Sequence, residues 1–195
     1  MAITTLNLRA LNRSDTASSG QVVTATSATA MDFQAAVGGK IGQVLQSVVD
    51  TVQTRSGDTN FFDLTDLSIA ITPAATSSKI LVLADVKYSQ DSSSRFLRLL
   101  RDSTAIYYND TLGSRVAVFS HDNDGNASND YAQLKEVTAM YLDSPSTTSA
   151  VTYKIQGASE GASNTFYLNR TKADRNAAIN PERVASSITV MEVLA

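Results

Sequence analysis

One short segment of this chain has residue types that could support catalysis, a serine flanked by two glycines. Gly157-Ala158-Ser159-Glu160-Gly161 matches the G-x-S-x-G pattern of a nucleophilic serine. That arrangement needs a strand before the serine, a helix after it and a histidine later in the chain. Here a strand-like segment follows at 165–169, and the one histidine, His121, lies upstream. We therefore interpret the motif as a glycine-rich turn and assign no catalytic residue.

The segment from His121 to Asp130 is dense in the oxygen ligands that calcium prefers. An EF-hand-like loop needs glycine at its sixth position, and counting from Asp122 that position is Ala127. A solvated turn rich in aspartate and asparagine is the simpler interpretation. The chain has no cysteine and hence no thiolate ligands. The sequence therefore predicts neither a metal nor a cofactor.

Two pairs of carboxylates could act as acid and base in a hydrolytic reaction. They are Asp63 with Asp66, and Asp85 with Asp91. Nothing in the pattern places either pair in a shared cleft, and carboxylates spread over a protein usually belong to its solvated surface. The expectation is a protein that is not an enzyme.

Arg95, Arg98 and Arg101 alternate with apolar residues in a way that could mark a nucleic-acid surface. In a strand, however, Arg98 and Arg101 point to opposite faces, so they form no single basic stripe. The net charge of −3 also provides no general attraction to phosphate. We expect no nucleic-acid partner.

The composition of the 195 residues fits a β-protein with polar loops, since 43% are hydrophobic and only 18% are charged. No run approaches the ~20 apolar residues of a membrane span, and the first residues do not resemble a secretory signal. We therefore expect a soluble chain without membrane insertion.

Strand-like alternation dominates from Lys40 onwards. The stretch 79–108 holds two apolar runs around a serine-rich break, which predicts a hairpin with its loop near 90–94. The segment 41–52 also fits helical spacing, but its valines and Gly42 favour a strand. Further strands are predicted at 61–72, 115–120, 134–142, 151–156, 165–169 and 186–193. Residues 170–183 are either a long loop or one helical turn.

About eight to ten short strands separated by turn residues are typical of a β-sandwich or jelly roll. The predicted fold is therefore all-β, with a jelly-roll-like β-sandwich over 40–195 and an extended N-terminal arm over 1–39. The predicted core contains ten residues: Ile69, Ile71, Leu81, Leu83, Leu99, Val118, Tyr153, Ile155, Ile188 and Val190.

Residues 1–39 hold too little apolar surface to offset their own ordering entropy. They could be a free tail or a strand of the main domain. Alternatively, they form an anchoring arm that becomes ordered on a partner. In the second interpretation, which we favour, the anchoring side chains are Leu6, Leu8, Leu11, Val22, Val23, Met31 and Phe33.

Several blocks of the sequence together resemble short virion proteins of tailed bacteriophages, especially marine ones, which are commonly labelled tail-fibre or structural proteins. The blocks include LSIAITPAATSSKILVLADV, RLLRDSTAIY, LDSPSTTSAVTYKIQ and SSITVMEVLA, and the likeness covers nearly the whole chain. The resemblance implies a component of the virion surface whose N-terminal segment attaches an outer domain. It brings no catalytic residue.

By analogy with such proteins we expect a homotrimer with subunits side by side around a threefold axis. Five aromatic residues are predicted at the subunit interface: Tyr107, Tyr108, Tyr141, Phe166 and Tyr167. The arm would attach to a phage tail or capsid protein. Loops near 90–95, 121–130 and 157–164 would contact a host surface glycan or protein.

Three functions stay open at this point. A fibre-type protein would bind the host through its loops, and we place it slightly first. A capsid decoration (cement) protein would stabilise the head lattice. A carbohydrate-cleaving tail component, the remote alternative, would need paired carboxylates in a cleft.

Overall fold

The computed structural model describes residues 21–25, 31–35, 40–57, 59–90, 93–124, 133–161, 163–177 and 180–195. The chain divides into two units, residues 1–39 and 40–195. In the first unit, β1 (Gln21–Ala25) pairs antiparallel with β2 (Met31–Ala35), and Val23 lies opposite Phe33. Within the described ranges no helix is long and apolar enough to cross a bilayer.

The described part of the second unit is built from strands without helices, which confirms the all-β prediction. In chain order the strands are β3 (Ile41–Val49), β4 (Gln53–Ser56), β5 (Phe62–Ile71), β6 (Lys79–Gln90), β7 (Ser93–Arg101), β8 (Thr104–Ile106), β9 (Ser120–Asp124), β10 (Lys135–Asp143), β11 (Val151–Ser159), β12 (Thr165–Leu168), β13 (Asn176–Ala177), β14 (Asn180–Pro181) and β15 (Ser186–Val193). The segment 170–183, predicted as a loop or a helical turn, contains the short ladder of β13 and β14.

The first sheet is organised around β6. Ala84 of β6 pairs with Ile188 of β15 and with Ala139 of β10, so these two strands flank β6 on opposite edges. Further along, Tyr88 pairs with β10 and also with β12, which places β12 in line with β15. Since β3 pairs with β15 and β4 with β12, the sheet is four strand positions wide.

The second sheet is also four positions wide, in the order β5, β11, β7, and then β8 in line with β9. Counted as strand positions in chain order, β3 with β4 lies in the first sheet, β5 in the second, β6 in the first, and β7 and then β8 with β9 in the second. After these, β10 lies in the first sheet, β11 in the second, and β12 with β15 in the first. Eight strand positions arranged in this way form a jelly roll. The predicted β-sandwich is therefore confirmed, including its jelly-roll order.

Two local predictions were wrong. β6 and β7 do not form a hairpin, because β6 belongs to the first sheet and β7 to the second. Alternation identifies a strand with one buried face, but both strands face the same core, so alternation does not reveal which neighbour each one pairs with. The strand predicted at 115–120 lies instead at Ser120–Asp124, where β9 pairs with β7.

The core lies between the inward faces of the two sheets. Six of the ten predicted core residues are almost completely buried: Ile71, Leu99, Tyr153, Ile155, Ile188 and Val190. Ile69 packs against this cluster while partly buried. Phe166 forms its aromatic centre, with its ring stacked 5.3 Å from Tyr88 and edge-on 5.6 Å from Phe62.

Three predicted core residues do not belong to the core, since Leu81, Leu83 and Val118 are only half-buried. The buried side of β6 is the opposite one, from Ile80 to Tyr88. Both faces of β6 are apolar near its start, so composition did not distinguish the face that points inward.

Candidate functional site

The serine of the G-x-S-x-G motif lies at the end of β11 and is 2% exposed. Gly161 follows with a φ of 92°, so the chain makes a turn there rather than starting a helix. This agrees with the interpretation of the motif as a turn. His121 is on β9, two strands away, and its ring stacks on Phe96 rather than pairing with a nucleophile.

Of the paired carboxylates, Asp63 and Asp66 line one cavity of about 430 Å³ on the second sheet, to which Asp102 and Lys154 also contribute. Asp63 accepts hydrogen bonds from Gln156 at 2.5 Å and from Lys154 at 3.0 Å on the outer face of the second sheet. Asp85 forms an ion pair with Lys87 on the same strand. Asp91 lies outside the described residues. In the described part of the chain, no three His, Asp or Glu side chains are grouped so as to hold a metal ion.

The three segments predicted as outer loops come together at one end of the second sheet. Ser94 pairs with Asn123, and the Glu160 N–H donates to the Ser94 carbonyl oxygen at 2.9 Å. Parts of these segments are strand rather than loop, since β7 begins at Ser93 and β9 reaches Asp124. Residues 125–132, which include most of the predicted solvated turn rich in aspartate and asparagine, are outside the described ranges.

Beside this end, the outer face of the second sheet carries a cleft of about 680 Å³. Its floor is a row across three strands, because Phe96 of β7 lies opposite both Ala158 of β11 and His121 of β9. The rings of Phe96 and His121 stack with 4.9 Å between centroids. Phe61, immediately before β5, adds a third ring to the lining. Such a volume is in the range of small-molecule sites.

The other wall of the cleft comes from the connection between β8 and β9. It contributes Asn109, Asp110, Ser114, Arg115, Val116 and Val118. Asp110 organises this wall, because its Oδ1 accepts from the Leu112 backbone N–H and from Arg115, each at 3.0 Å. The segment is fastened to the sheet where the Phe119 N–H donates to the Leu97 carbonyl oxygen at 3.0 Å.

A polar network extends from the cleft along the outer face. The Arg98 guanidinium lies 3.9 Å from the Phe61 ring centroid and donates to Gln156 at 2.7 Å. Partial burial raises the pKa of Asp63, but the hydrogen bond from Gln156 and the Lys154 ammonium outweigh it, so this pKa lies below its usual value. Asp63 is therefore ionised at neutral pH. The network fixes Arg98 against one of the cleft's aromatic rings.

The aromatic residues predicted at a subunit interface separate into two groups. Tyr107 and Tyr108 are 39% and 45% exposed, and Tyr107 stacks on Tyr141 with 5.3 Å between centroids. Phe166 and Tyr167, in contrast, are 0% and 8% exposed inside the subunit. Phe166 belongs to the core, and the Tyr167 ring is covered by the Arg170 guanidinium, 4.6 Å from its centroid. Both side chains therefore make their contacts within the subunit.

Among the described residues of the second unit, a set of apolar side chains lies on the outer side of the first sheet. In one row across four strands, Val44 lies opposite Met191, Met191 opposite Leu81, and Leu81 opposite Leu142. Met140, opposite Leu83 in the next row, is 64% exposed. We call this surface the apolar face, and define it by Val44, Val48, Leu81, Leu83, Met140, Leu142 and Met191. Exposed apolar patches of this kind mark interaction sites.

The predicted anchoring residues belong to the first unit. Val22, Val23, Met31 and Phe33 lie on the paired strands β1 and β2. Leu6, Leu8 and Leu11 are outside the described residues. Their role in attachment stays a prediction.

Neither the cleft nor the apolar face was identified from the sequence. The cleft residues come from separated segments and share no spacing. The apolar face did leave a signal, since the run from Ile80 to Leu83 is apolar on both sides of the strand. A strand in an antiparallel sheet normally has one polar face, so a second apolar face indicated either deep burial or an interface.

A comparison with protein-family models and with curated proteins finds no match for this chain.

Proposed function

We propose that this chain is a non-enzymatic structural protein of a bacteriophage virion, displayed on the particle surface as a fibre-type protein. The resemblance of its sequence blocks to phage virion proteins supports the setting. The jelly roll would hold the loops and the cleft in a fixed arrangement on the particle surface. The observation on which the proposal rests most heavily is the apolar face, because neighbouring exposed apolar side chains on a folded domain mark interaction sites.

The occupant of the apolar face in this proposal is a second copy of the chain. Its centre is uncharged, and the charged residues of the same face, such as Asp85, Lys87 and Glu136, lie towards one end of the sheet. The small net charge of −3 opposes self-association only weakly. Three copies around a threefold axis would each bury this face, in keeping with the trimer expected by analogy.

In such a trimer, three weak attachments through the N-terminal arms would act together. Linking them raises the effective concentration of each remaining arm once one has bound. The end of the second sheet, with its clustered loops and its cleft, then points to the host. The protein would work by multivalent docking rather than by a chemical reaction.

The decisive experiment is the copy number in purified particles, measured by quantitative mass spectrometry against the major capsid protein. A few tens of copies at most would support a fibre at the tail or a vertex. A ratio near one to one would identify the alternative, a capsid decoration protein. Absence of the chain from particles would overturn both.

A second experiment tests the arm. Particles assembled with a chain lacking residues 1–34 should lose this protein, while the shortened chain stays folded and soluble. Incorporation at the level of the full chain would show that attachment does not depend on the arm.

A further inference from the structure

The lining of the cleft on the second sheet is chemically mixed. Its aromatic and aliphatic side chains are Phe61, Phe96, Val116, Val118 and Ala158. Its hydrogen-bonding side chains are Thr59, Asn109, Asp110, Ser114, Arg115 and His121. A ligand that fills it must therefore present an apolar surface and several polar groups at the same time.

The charges in the cleft are arranged as a neutral pair. Asp110 and Arg115 are 3.0 Å apart, and their side chains stay 36% and 65% exposed. Arg115 is thus partly neutralised before any ligand arrives, which disfavours a phosphate or another anion. Asp110 has the same effect on a cation. An uncharged ligand avoids both penalties.

The hydrogen-bonding groups suit hydroxyls. The Asp110 carboxylate only accepts, the Arg115 guanidinium only donates, and the Asn109 amide does both. A hydroxyl donates one bond and accepts others, so a row of hydroxyls can satisfy all three side chains. The aromatic rings of Phe61 and Phe96 match the C–H face of a pyranose ring, which packs on aromatic surfaces as other apolar groups do.

We propose that this cleft binds one unit of an uncharged saccharide, stacked on the aromatic floor with its hydroxyls against Asn109, Asp110 and Arg115. The inference deepens the proposed function and rests on it, since it names the host-surface chemistry that the displayed domain would recognise. Single sugars bind weakly, and a trimer with three parallel clefts would raise the avidity for a glycan coat by orders of magnitude.

The test uses the full chain, labelled with ¹⁵N, and four probes: glucose, galactose, mannose and N-acetylglucosamine. Each is titrated to about 100 mM, because isolated sites of this kind bind with Kd values on the order of 1 mM or weaker. At least one sugar should cause saturable amide shifts at Phe96, His121 and Arg115. If none of the four does so, the proposal is overturned.

Two variants and a control establish the location. Phe96→Ala removes a stacking surface and Arg115→Ala removes a donor, and each should weaken binding by about tenfold or more. Arg115 is exposed, so its variant tests the cleft even where Phe96→Ala disturbs the fold. Ala70→Val, at an exposed position on the outer face of the same sheet and outside the cleft lining, should bind like the unmodified chain. Equal binding by Arg115→Ala and the unmodified chain would overturn the assignment.

The outcome is separable from that of the particle experiment. A chain that is present in particles but binds none of the four sugars overturns the cleft assignment alone. A chain that binds a sugar but is absent from particles overturns the virion proposal alone.

Discussion

Asn169 joins three segments of the chain at one buried point. Its Nδ2 donates to the carbonyl oxygens of Val49 at 2.7 Å and Thr51 at 3.0 Å. Its Oδ1 accepts from the Ser186 hydroxyl at 2.5 Å. The residue has a φ of 59°, in the left-handed region that asparagine tolerates better than most residues. One side chain thus holds the end of β3, the end of β12 and the start of β15 together.

Two replacements of Asn169 should distinguish the contribution of its side-chain hydrogen bonds from that of its backbone conformation. Asn169→Gly keeps the backbone conformation but removes the donor to the buried Val49 carbonyl and to the partly buried Thr51 carbonyl, and should lower the free energy of unfolding by about 2 kcal/mol. Asn169→Ala should lose about 1 kcal/mol more, because alanine is strained at positive φ. Urea unfolding followed by circular dichroism measures both. Equal stability of the two variants would show that the backbone conformation contributes nothing.

Asp174 makes the stability of the folded state depend on pH in the acidic range. The hydrogen bond from Arg183 is the main cause that lowers its pKa to about 2, with Arg170 contributing further. Since the pKa of an unfolded aspartate is near 3.8, this carboxylate stabilises the folded state above that pH, and the contribution is lost as the pH falls towards 2. Asp174→Asn should therefore show a shallower loss of stability between pH 4 and pH 2. Thermal unfolding across this range measures it, and parallel curves for the two chains would contradict it.

At the scale of elements, the close approach of β11 to the core depends on Gly157. A Cβ at this position would lie 3.2 Å from Leu64 Cδ2 and 3.3 Å from Phe166 Cε2. Neighbouring inward positions on β11 carry Tyr153 and Ile155, so the glycine leaves the space that the Phe166 ring occupies. The Phe166 ring can therefore pack against β11 only because residue 157 has no side chain.

Gly157→Val should therefore overpack the core and lower the free energy of unfolding by about 1–3 kcal/mol. Ala70→Val is a matched control, because Ala70 lies on the outer face of the same sheet and is exposed. We expect it to change stability by less than about 0.5 kcal/mol. Chemical denaturation of the two variants measures this difference. Equal denaturation midpoints would contradict the packing argument.

At the scale of the whole molecule, the outer faces of the two sheets differ in composition. The second sheet exposes a polar network around Arg98, Gln156 and Asp63 together with the cleft. The first sheet exposes the apolar face. In the proposed trimer, contact through the outer face of the first sheet would leave the cleft on the second sheet accessible.

A charge placed on the apolar face should dissociate the assembly without unfolding the subunit. Met140→Lys introduces an ammonium at a side chain that is 64% exposed. Burying it between copies is unfavourable. We expect the concentration for half-dissociation to rise by about tenfold or more, measured by sedimentation equilibrium. Ser68→Lys, on the outer face of the other sheet, should leave the assembly unchanged, and equal effects of the two variants would contradict the proposed interface.

Much of the fold was predictable, because strand formation is a local property. Alternation identified β5, β6, β10, β11 and β15, and the valines and Gly42 correctly favoured strand over helix for β3. Hydrophobic periodicity also predicted that Leu99 on β7, Tyr153 and Ile155 on β11, and Ile188 and Val190 on β15 are buried, as they are. The candidate cleft was not predictable, since Phe61, Phe96, Asp110 and His121 are distant in sequence and meet only when β7 is flanked by β9 and β11.

The sequence by itself determined that this chain forms strands, that it packs them as a β-sandwich and that most of the alternating apolar residues lie between two sheets. Each of these follows from the two-residue period of a strand and from the preference of apolar side chains for the interior. Only the tertiary structure decided which strands pair, which side of β6 faces inward and where aromatic residues are buried. These depend on long-range contacts: β6 and β7 could have paired locally, and Leu81 could have pointed inward, had other strands not been available across the core.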